Sequence, residues 1–216
     1  MRIACVGYRD WALAIYDQLV SESDHVFLIL RSKNQFSVNV LADFKPDLVL
    51  FYGWSWIVPN EILLSYICLM LHPSPLPRYR GGSPIQNQII AGEKESMVTI
   101  FVMSQELDAG DIVAQGPLNL CGSLNDIFCQ ITDSGVRLTQ QLIDNGINGR
   151  PQDSAQATYC KRRKPSDSEI TSAELVNESA QFLYDKIRML ADPYPNAFIR
   201  TCDGKKLIIT SAFVAE

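Results

Sequence analysis

Short apolar runs alternate with amphipathic stretches over the first two thirds of the chain. Residues 2–8 (RIACVGY), 25–30 (HVFLIL), 47–51 (DLVLF) and 67–71 (ICLML) are nearly continuous apolar segments of strand length, the pattern of strands covered on both faces. Residues 11–19, 60–65 and 83–91 lie between or after them with spaced apolar positions and read as helices; Ser83 is expected as N-cap and Pro84 at the first helical position. The strand–helix–strand order predicts right-handed parallel units. Residues 97–103 (MVTIFVM) and a run starting at 111 (DIVA) add two strands, joined by a tight acidic loop from Ser104 to Asp111. Residues 123–145 form the longest amphipathic stretch. Its apolar positions Ile127, Ile131, Val136, Leu138 and Leu142 miss a single stripe and so predict a helix buried over a wide face, stopped at Gly146. Near residue 147 the chain turns polar. A helix over 173–190, a break at Asp192-Pro193-Tyr194-Pro195 and two short strands around the hairpin signal Asp203-Gly204 follow.

Composition narrows this α/β reading. The chain has 216 residues, 47% of them hydrophobic, enough for one domain with a sizeable core plus a small appendage. A net charge of −5 offers no broad basic field for nucleic acid. The six cysteines show no C-x-x-C spacing, which argues for reduced thiols in a cytoplasmic protein and against a zinc site; no metal is expected. The N-terminus is too short a run for a signal peptide, and no apolar run is long enough to cross a membrane. After the first strand stands a single Gly7, and no P-loop pattern occurs anywhere, so dinucleotide and nucleoside-triphosphate readings lose their main support.

Candidate chemistry gathers at strand ends. His72 stands where the fourth strand must stop, since Pro73, Pro75 and Pro77 cannot continue a ladder. Open α/β sheets place ligands at such C-terminal ends. Only His25 and His72 could supply imidazole, and His25 opens a strand beside Asp24 as a surface residue. The loop after residue 103 supplies Asp108, and a carboxylate beside an imidazole orients it and fixes its tautomer. Tyr52, Trp54 and Trp56 around Gly53, at a third strand end, are either a core corner or the wall of a flat aromatic pocket. Four consecutive basic residues, Lys161 to Lys164, read as a solvated loop, with a phosphate contact as the alternative.

The stretch from His72 to Pro84 (HPSPLPRYRGGSP), followed by Leu107-Asp108-Ala109-Gly110-Asp111, resembles the folate-dependent formyltransferases, whose pattern is N-x-H-x-S-L-L-P-x-x-R-G-x-x-P and then L-D-x-G-D. The resemblance covers residues 1–145. It implies a Rossmann-like, mostly parallel sheet with helices on both faces, carrying a catalytic domain at 1–147. Residues 148–216 are then a C-terminal extension of loop, helix and β-hairpin, short of a full OB-type domain. It implies N10-formyltetrahydrofolate as formyl donor, His72 as catalytic histidine and Asp108 as its carboxylate partner. Trp54, Ser55, Trp56, Gly82, Ser104, Gln105, Glu106, Leu107 and Asp108 fall where the family grips the folate. One departure stands out: Met70 occupies the family's asparagine position, and a thioether cannot donate a hydrogen bond.

The amine acceptor is read from the C-terminal part. Too few residues follow the catalytic motifs for a complete nucleic-acid-binding barrel, and the chain is acidic, so a tRNA substrate is set aside. The segments 161–167 and 191–198 resemble amino-sugar N-formyltransferases. The expectation is therefore N-formylation of a nucleotide-linked amino deoxysugar, with Arg78, Arg80 and Tyr194 as substrate contacts and no nucleic-acid or membrane partner. The alternatives are another small or carrier-bound amine, or a catalytically impaired homologue that binds ligand. The terminal hairpin, residues 198–214, offers a homodimer surface.

Overall fold

The computed structural model describes residues 1–191 and 193–215. In chain order it comprises β1 (Arg2–Val6), α1 (Asp10–Ser21), β2 (Val26–Leu30), α2 (Val38–Phe44), β3 (Leu48–Tyr52), α3 (Asn60–Ser65) and β4 (Ile67–His72). After these come β5 (Arg80–Gly81), α4 (Pro84–Ile90), β6 (Glu95–Val102), β7 (Ile112–Asn119) and α5 (Leu124–Asn145). The remainder holds β8 (Tyr159–Cys160), α6 (Ser172–Asn177), α7 (Ala180–Arg188), β9 (Ala197–Arg200) and β10 (Lys206–Ile209). Strands β2-β1-β3-β4-β6-β7 form one sheet in that order, in which β6 alone runs against its neighbours.

The apolar runs become the buried strands because both faces are covered. On one face Ile15 and Leu19 of α1 and Ile127 and Ile131 of α5 pack on Leu69 and Leu71; on the other, Leu41 of α2 and Ile62 of α3 pack on Val49, Phe51 and Cys68. The wide buried face of α5 extends through Val136, Leu138, Thr139 and Leu142. A reciprocal capping box starts this helix: Ser123 Oγ accepts the Asp126 N–H at 3.2 Å and Asp126 accepts the Ser123 N–H at 2.9 Å. Gly146 ends it at φ +85°. Residues of the C-terminal extension, among them Ile170, Ile187, Met189 and Ala197, join the α1–α5 core. Its terminal strands β9 and β10 pair antiparallel around the expected turn.

Local expectations need three corrections. The helix expected over 173–190 is two: α6 ends at Asn177, Glu178 is extended, and Ser179 opens α7 by accepting the Phe182 N–H. A second capping residue inside the apolar pattern makes that break. Ser83 holds the N-cap position ahead of Pro84 as expected, but it lies at φ +53° and its side chain makes no capping bond; its Oγ accepts the Arg163 N–H at 3.1 Å instead. On the terminal hairpin Phe198 is buried, while Leu207, Ile208 and Phe213 are exposed. Asp192, part of the expected break before Tyr194, lies outside the described residues.

The cleft is opened at the sheet's switch point, where β1 lies between β2 and β3. β1 and β3 pair through Cys5 and Leu50, and beyond that their backbones separate. Tyr16, fully buried, fills the gap: its hydroxyl accepts the Tyr52 N–H at 2.8 Å and lies 3.0 Å from Leu50 O and 3.1 Å from Val6 O. Gly7 is required alongside, since a Cβ there would meet Tyr52 O at 2.2 Å. Tyr16→Phe leaves the Tyr52 N–H buried without a partner and should cost about 1–3 kcal/mol. Denaturant unfolding of the variant measures this, and unchanged stability would show that the hydroxyl is dispensable.

Candidate active site

His72 is the last residue of β4, and Cys68, Met70 and His72 share one face of that strand. Beyond it the proline loop folds back on itself, with Ser74 Oγ donating to Arg78 O at 2.9 Å and Thr99 Oγ1 donating to Ser74 O at 2.6 Å. This return brings the Tyr79 carbonyl to 2.9 Å from His72 Nε2. A carbonyl only accepts, so Nε2 carries a hydrogen and the neutral ring keeps its lone pair on Nδ1. Nδ1 faces Asp108 Oδ2 at 3.8 Å, with both side chains nearly buried. That separation is too long for a direct hydrogen bond. Oδ2 instead accepts the Gly81 N–H at 2.7 Å. Tyr79 (φ +60°), Ser83 (φ +53°) and Asp108 (φ +50°) all take the left-handed conformation around this one point. Such strain persists only where the surroundings over-determine it.

The surroundings are supplied by the segment after α5. Its strand β8 pairs in parallel with β5, Arg80 with Tyr159 and Gly81 with Cys160. Two glycines make that approach possible, because a Cβ at Gly81 would meet Cys160 O at 2.4 Å and one at Gly82 would meet Arg162 Cβ at 2.5 Å. Gln152 ties the two loops together. Its Oε1 accepts from Arg80 Nε at 3.1 Å and Nη2 at 2.8 Å, while its Nε2 donates to Asp108 O at 2.9 Å and Gly110 O at 2.7 Å. Burial pushes the Cys160 thiol up from its ordinary range, and its Sγ lies against the carbonyls of Arg80 and Gly82 at 3.3 and 3.2 Å.

These loops and the strand ends enclose a cleft of about 660 Å³. One wall is aromatic: Trp54 meets Trp56 edge-on at 4.7 Å, Trp56 meets Tyr8 at 4.9 Å, and the Tyr8 hydroxyl lies 2.8 Å from Ser55 Oγ. The two alternatives for this corner both hold, since Trp54 is buried against Phe36 and Phe51 while Trp56 is part exposed to the cleft. Met70 lines the cleft floor and packs with Leu76, Phe101 and Ile112. Ser104 to Asp108 form the rim.

The cleft thus collects His72, Asp108, Met70, Trp54, Ser55, Trp56, Gly82, Ser104, Gln105, Glu106, Leu107 and Tyr194. Arg78 and Arg80 lie outside it, contrary to their expected role as substrate contacts. Arg78 is half exposed and pairs with Glu93 at 2.6 Å, while Arg80 is buried and spends its donors on Gln152 and the Tyr159 hydroxyl. Residues not expected from sequence are Arg9, whose guanidinium lies over the rings of Tyr8 (4.8 Å) and Tyr194 (5.2 Å), and the bridging Gln152. Arg162 and Arg163 of the basic run also line the cleft. Among the described residues no group of three or more His, Cys, Asp or Glu side chains is placed to hold a metal ion, and no helix is long and apolar enough to cross a membrane.

The formyl transferase family model matches residues 3–125, more than half of the chain and the part that supplies His72 and Asp108. The chain belongs to the formyl transferase family. A second model, the C-terminal domain of methionyl-tRNA formyltransferase, matches residues 165–213. The methionyl-tRNA formyltransferase of Carboxydothermus hydrogenoformans is 34% identical over 209 residues, covering 92% of this chain and 66% of its own. The solved methionyl-tRNA formyltransferase from Clostridium thermocellum superposes with a TM-score of 0.87 at 28% identity, covering 97% of both chains. HypX from Aquifex aeolicus in complex with tetrahydrofolic acid shares the fold, with a TM-score of 0.82 at 22% identity over 96% of this chain and 37% of its own. The chain spans 51–66% of the length of such curated relatives.

These matches overturn the expectation of a nucleotide-linked amino sugar and the exclusion of nucleic acid. Both had rested on the short C-terminal part and on the net acidity of the chain as a whole. Residues 165–213 nevertheless match the tRNA enzymes' domain, and net charge says nothing of a local patch.

Gln152→Leu removes the acceptor for two bonds from a buried guanidinium and the donor to the Asp108 loop. The variant should lose about 1.5–3 kcal/mol, the range for hydrogen bonds to a charged group. Chemical unfolding measures it; a wild-type midpoint would show that the bridge holds nothing.

Proposed function

We propose that this chain transfers a formyl group from N10-formyltetrahydrofolate to the α-amino group of methionyl-tRNA. The match of residues 165–213 to the C-terminal domain of methionyl-tRNA formyltransferase carries the choice of acceptor. The folate donor follows from the family and agrees with the aromatic wall, which suits a flat ring.

On this reading the neutral amine attacks the formyl carbon. A carbon–nitrogen bond forms to the acceptor, the bond from carbon to N10 breaks, and N10 takes up a proton. His72 Nδ1 is the atom positioned to receive the proton that the amine sheds, because Nε2 is already engaged with Tyr79 O. Asp108 Oδ2, 3.8 Å away, then stabilises the imidazolium. His72 acting as the proton acceptor is then not the donor to the developing oxyanion. Met70 offers no donor there, so that charge is met by a backbone N–H or by water.

Incubation with methionyl-tRNA and N10-formyltetrahydrofolate should yield formyl-methionyl-tRNA, read by mass after release of the amino acid. Absence of product at enzyme concentrations near that of the tRNA would refute the acceptor assignment. His72→Ala should cut turnover at least about 100-fold. Met70→Asn buries an amide among Leu76, Phe101 and Ile112 and should lower stability by about 1–3 kcal/mol without raising turnover. A faster, equally stable variant would show instead that a vacancy for the family's asparagine persists.

A further inference from the structure

The reaction above leaves unused a group of donors where the aromatic row ends. The row runs from Trp54 through Trp56 and Tyr8 to Arg9 and Tyr194. A smaller cavity of about 100 Å³ adjoins the cleft there and shares Ser83, Gln86, Arg163 and Tyr194 with it. Gln86 is 2% exposed, lines both cavities, and its amide nitrogen is buried without a hydrogen-bond partner among the described residues. Arg163 Nε is likewise buried and unpartnered, although its Nη2 donates to Asp167 O at 2.8 Å. The Arg9 guanidinium lies over the Tyr8 and Tyr194 rings, contacts that use none of its N–H groups. The Ser83 hydroxyl accepts the Arg163 N–H and keeps its own hydrogen to give.

Buried donors normally find partners, and each left without one costs stability. Ser83, Gln86 and Arg163 line both cavities and Arg9 lines the same cleft, so two guanidinium groups, an amide and a hydroxyl border one space and each has a hydrogen to donate. That inventory suits an anion with several acceptor oxygens, of the phosphate class. We propose that Arg9, Ser83, Gln86 and Arg163 form an oxyanion subsite that holds the 3′-terminal phosphodiester of the acceptor, while the aminoacyl end reaches His72. The assignment to the acceptor rests on the function proposed above; the anion chemistry rests on the four residues alone. Gln86 sits one turn into α4 and Arg163 lies in the segment stitched to the catalytic loop, so the subsite is fixed relative to the reacting atoms.

The test uses the full chain and the variants Arg9→Ala and Gln86→Met. Calorimetry with inorganic phosphate and with adenosine 5′-monophosphate should show binding to the wild type that weakens about 10- to 100-fold in each variant, the range for losing a hydrogen bond to a charged group. Steady-state kinetics should show a matching rise in KM for methionyl-tRNA with little movement in KM for the folate donor. Gln86→Met should be at least as stable as the wild type, since it removes an unpartnered buried amide. No phosphate binding to the wild type, or equal binding to all three proteins, would overturn the subsite. A rise in the folate KM alone would assign the anion to the donor's carboxylate tail and overturn the proposal, as would a marked loss of stability in Gln86→Met. Should methionyl-tRNA prove no substrate, the acceptor reading fails by itself and the calorimetry still decides whether the subsite exists.

Discussion

The short parallel pairing of β5 with β8 is the contact on which the cleft depends. It involves two residues on each side, yet it holds the His72 loop against a segment some eighty positions later in the chain. Once those backbones are in register, Gln152 reaches Arg80 and the Asp108 loop together, Gly81 offers its N–H to Asp108, and Arg162 and Arg163 arrive at the cleft mouth. The left-handed conformations of Tyr79, Ser83 and Asp108 are tolerable because these bonds fix them from several directions.

Much of the sheet was legible because its strands are buried on both faces and therefore read as unbroken apolar runs. His72 and Asp108 were legible because prolines and an acidic turn mark the strand ends that carry them, and because their motifs are family-specific. Gln152 was not: a glutamine in a polar loop carries no periodic or turn signal, and its meaning comes wholly from partners distant in sequence. Arg80 misled for the same reason, since an arginine beside a glycine turn looks exposed until its burial is known. The split between α6 and α7 was visible in Ser179, but the apolar positions on either side outweighed one capping residue.

Charge shows how a global quantity can hide a local one. The chain is net acidic, yet Arg9, Arg162 and Arg163 line one mouth of the cleft. Screening confines the influence of a surface charge to roughly 8–10 Å at physiological salt. A ligand's end entering the cleft therefore meets the arginines rather than the chain's sum.

The stitch between β5 and β8 also sets when the cleft can exist during synthesis. Chains fold progressively as they leave the ribosome. The parallel strands and their helices can assemble once α5 has emerged, but the His72 loop has no pairing partner until Tyr159 and Cys160 follow. A nascent chain halted before that point would carry a nearly complete sheet and both His72 and Asp108 without the geometry that relates them, so the cleft is among the last features of the protein to come into being.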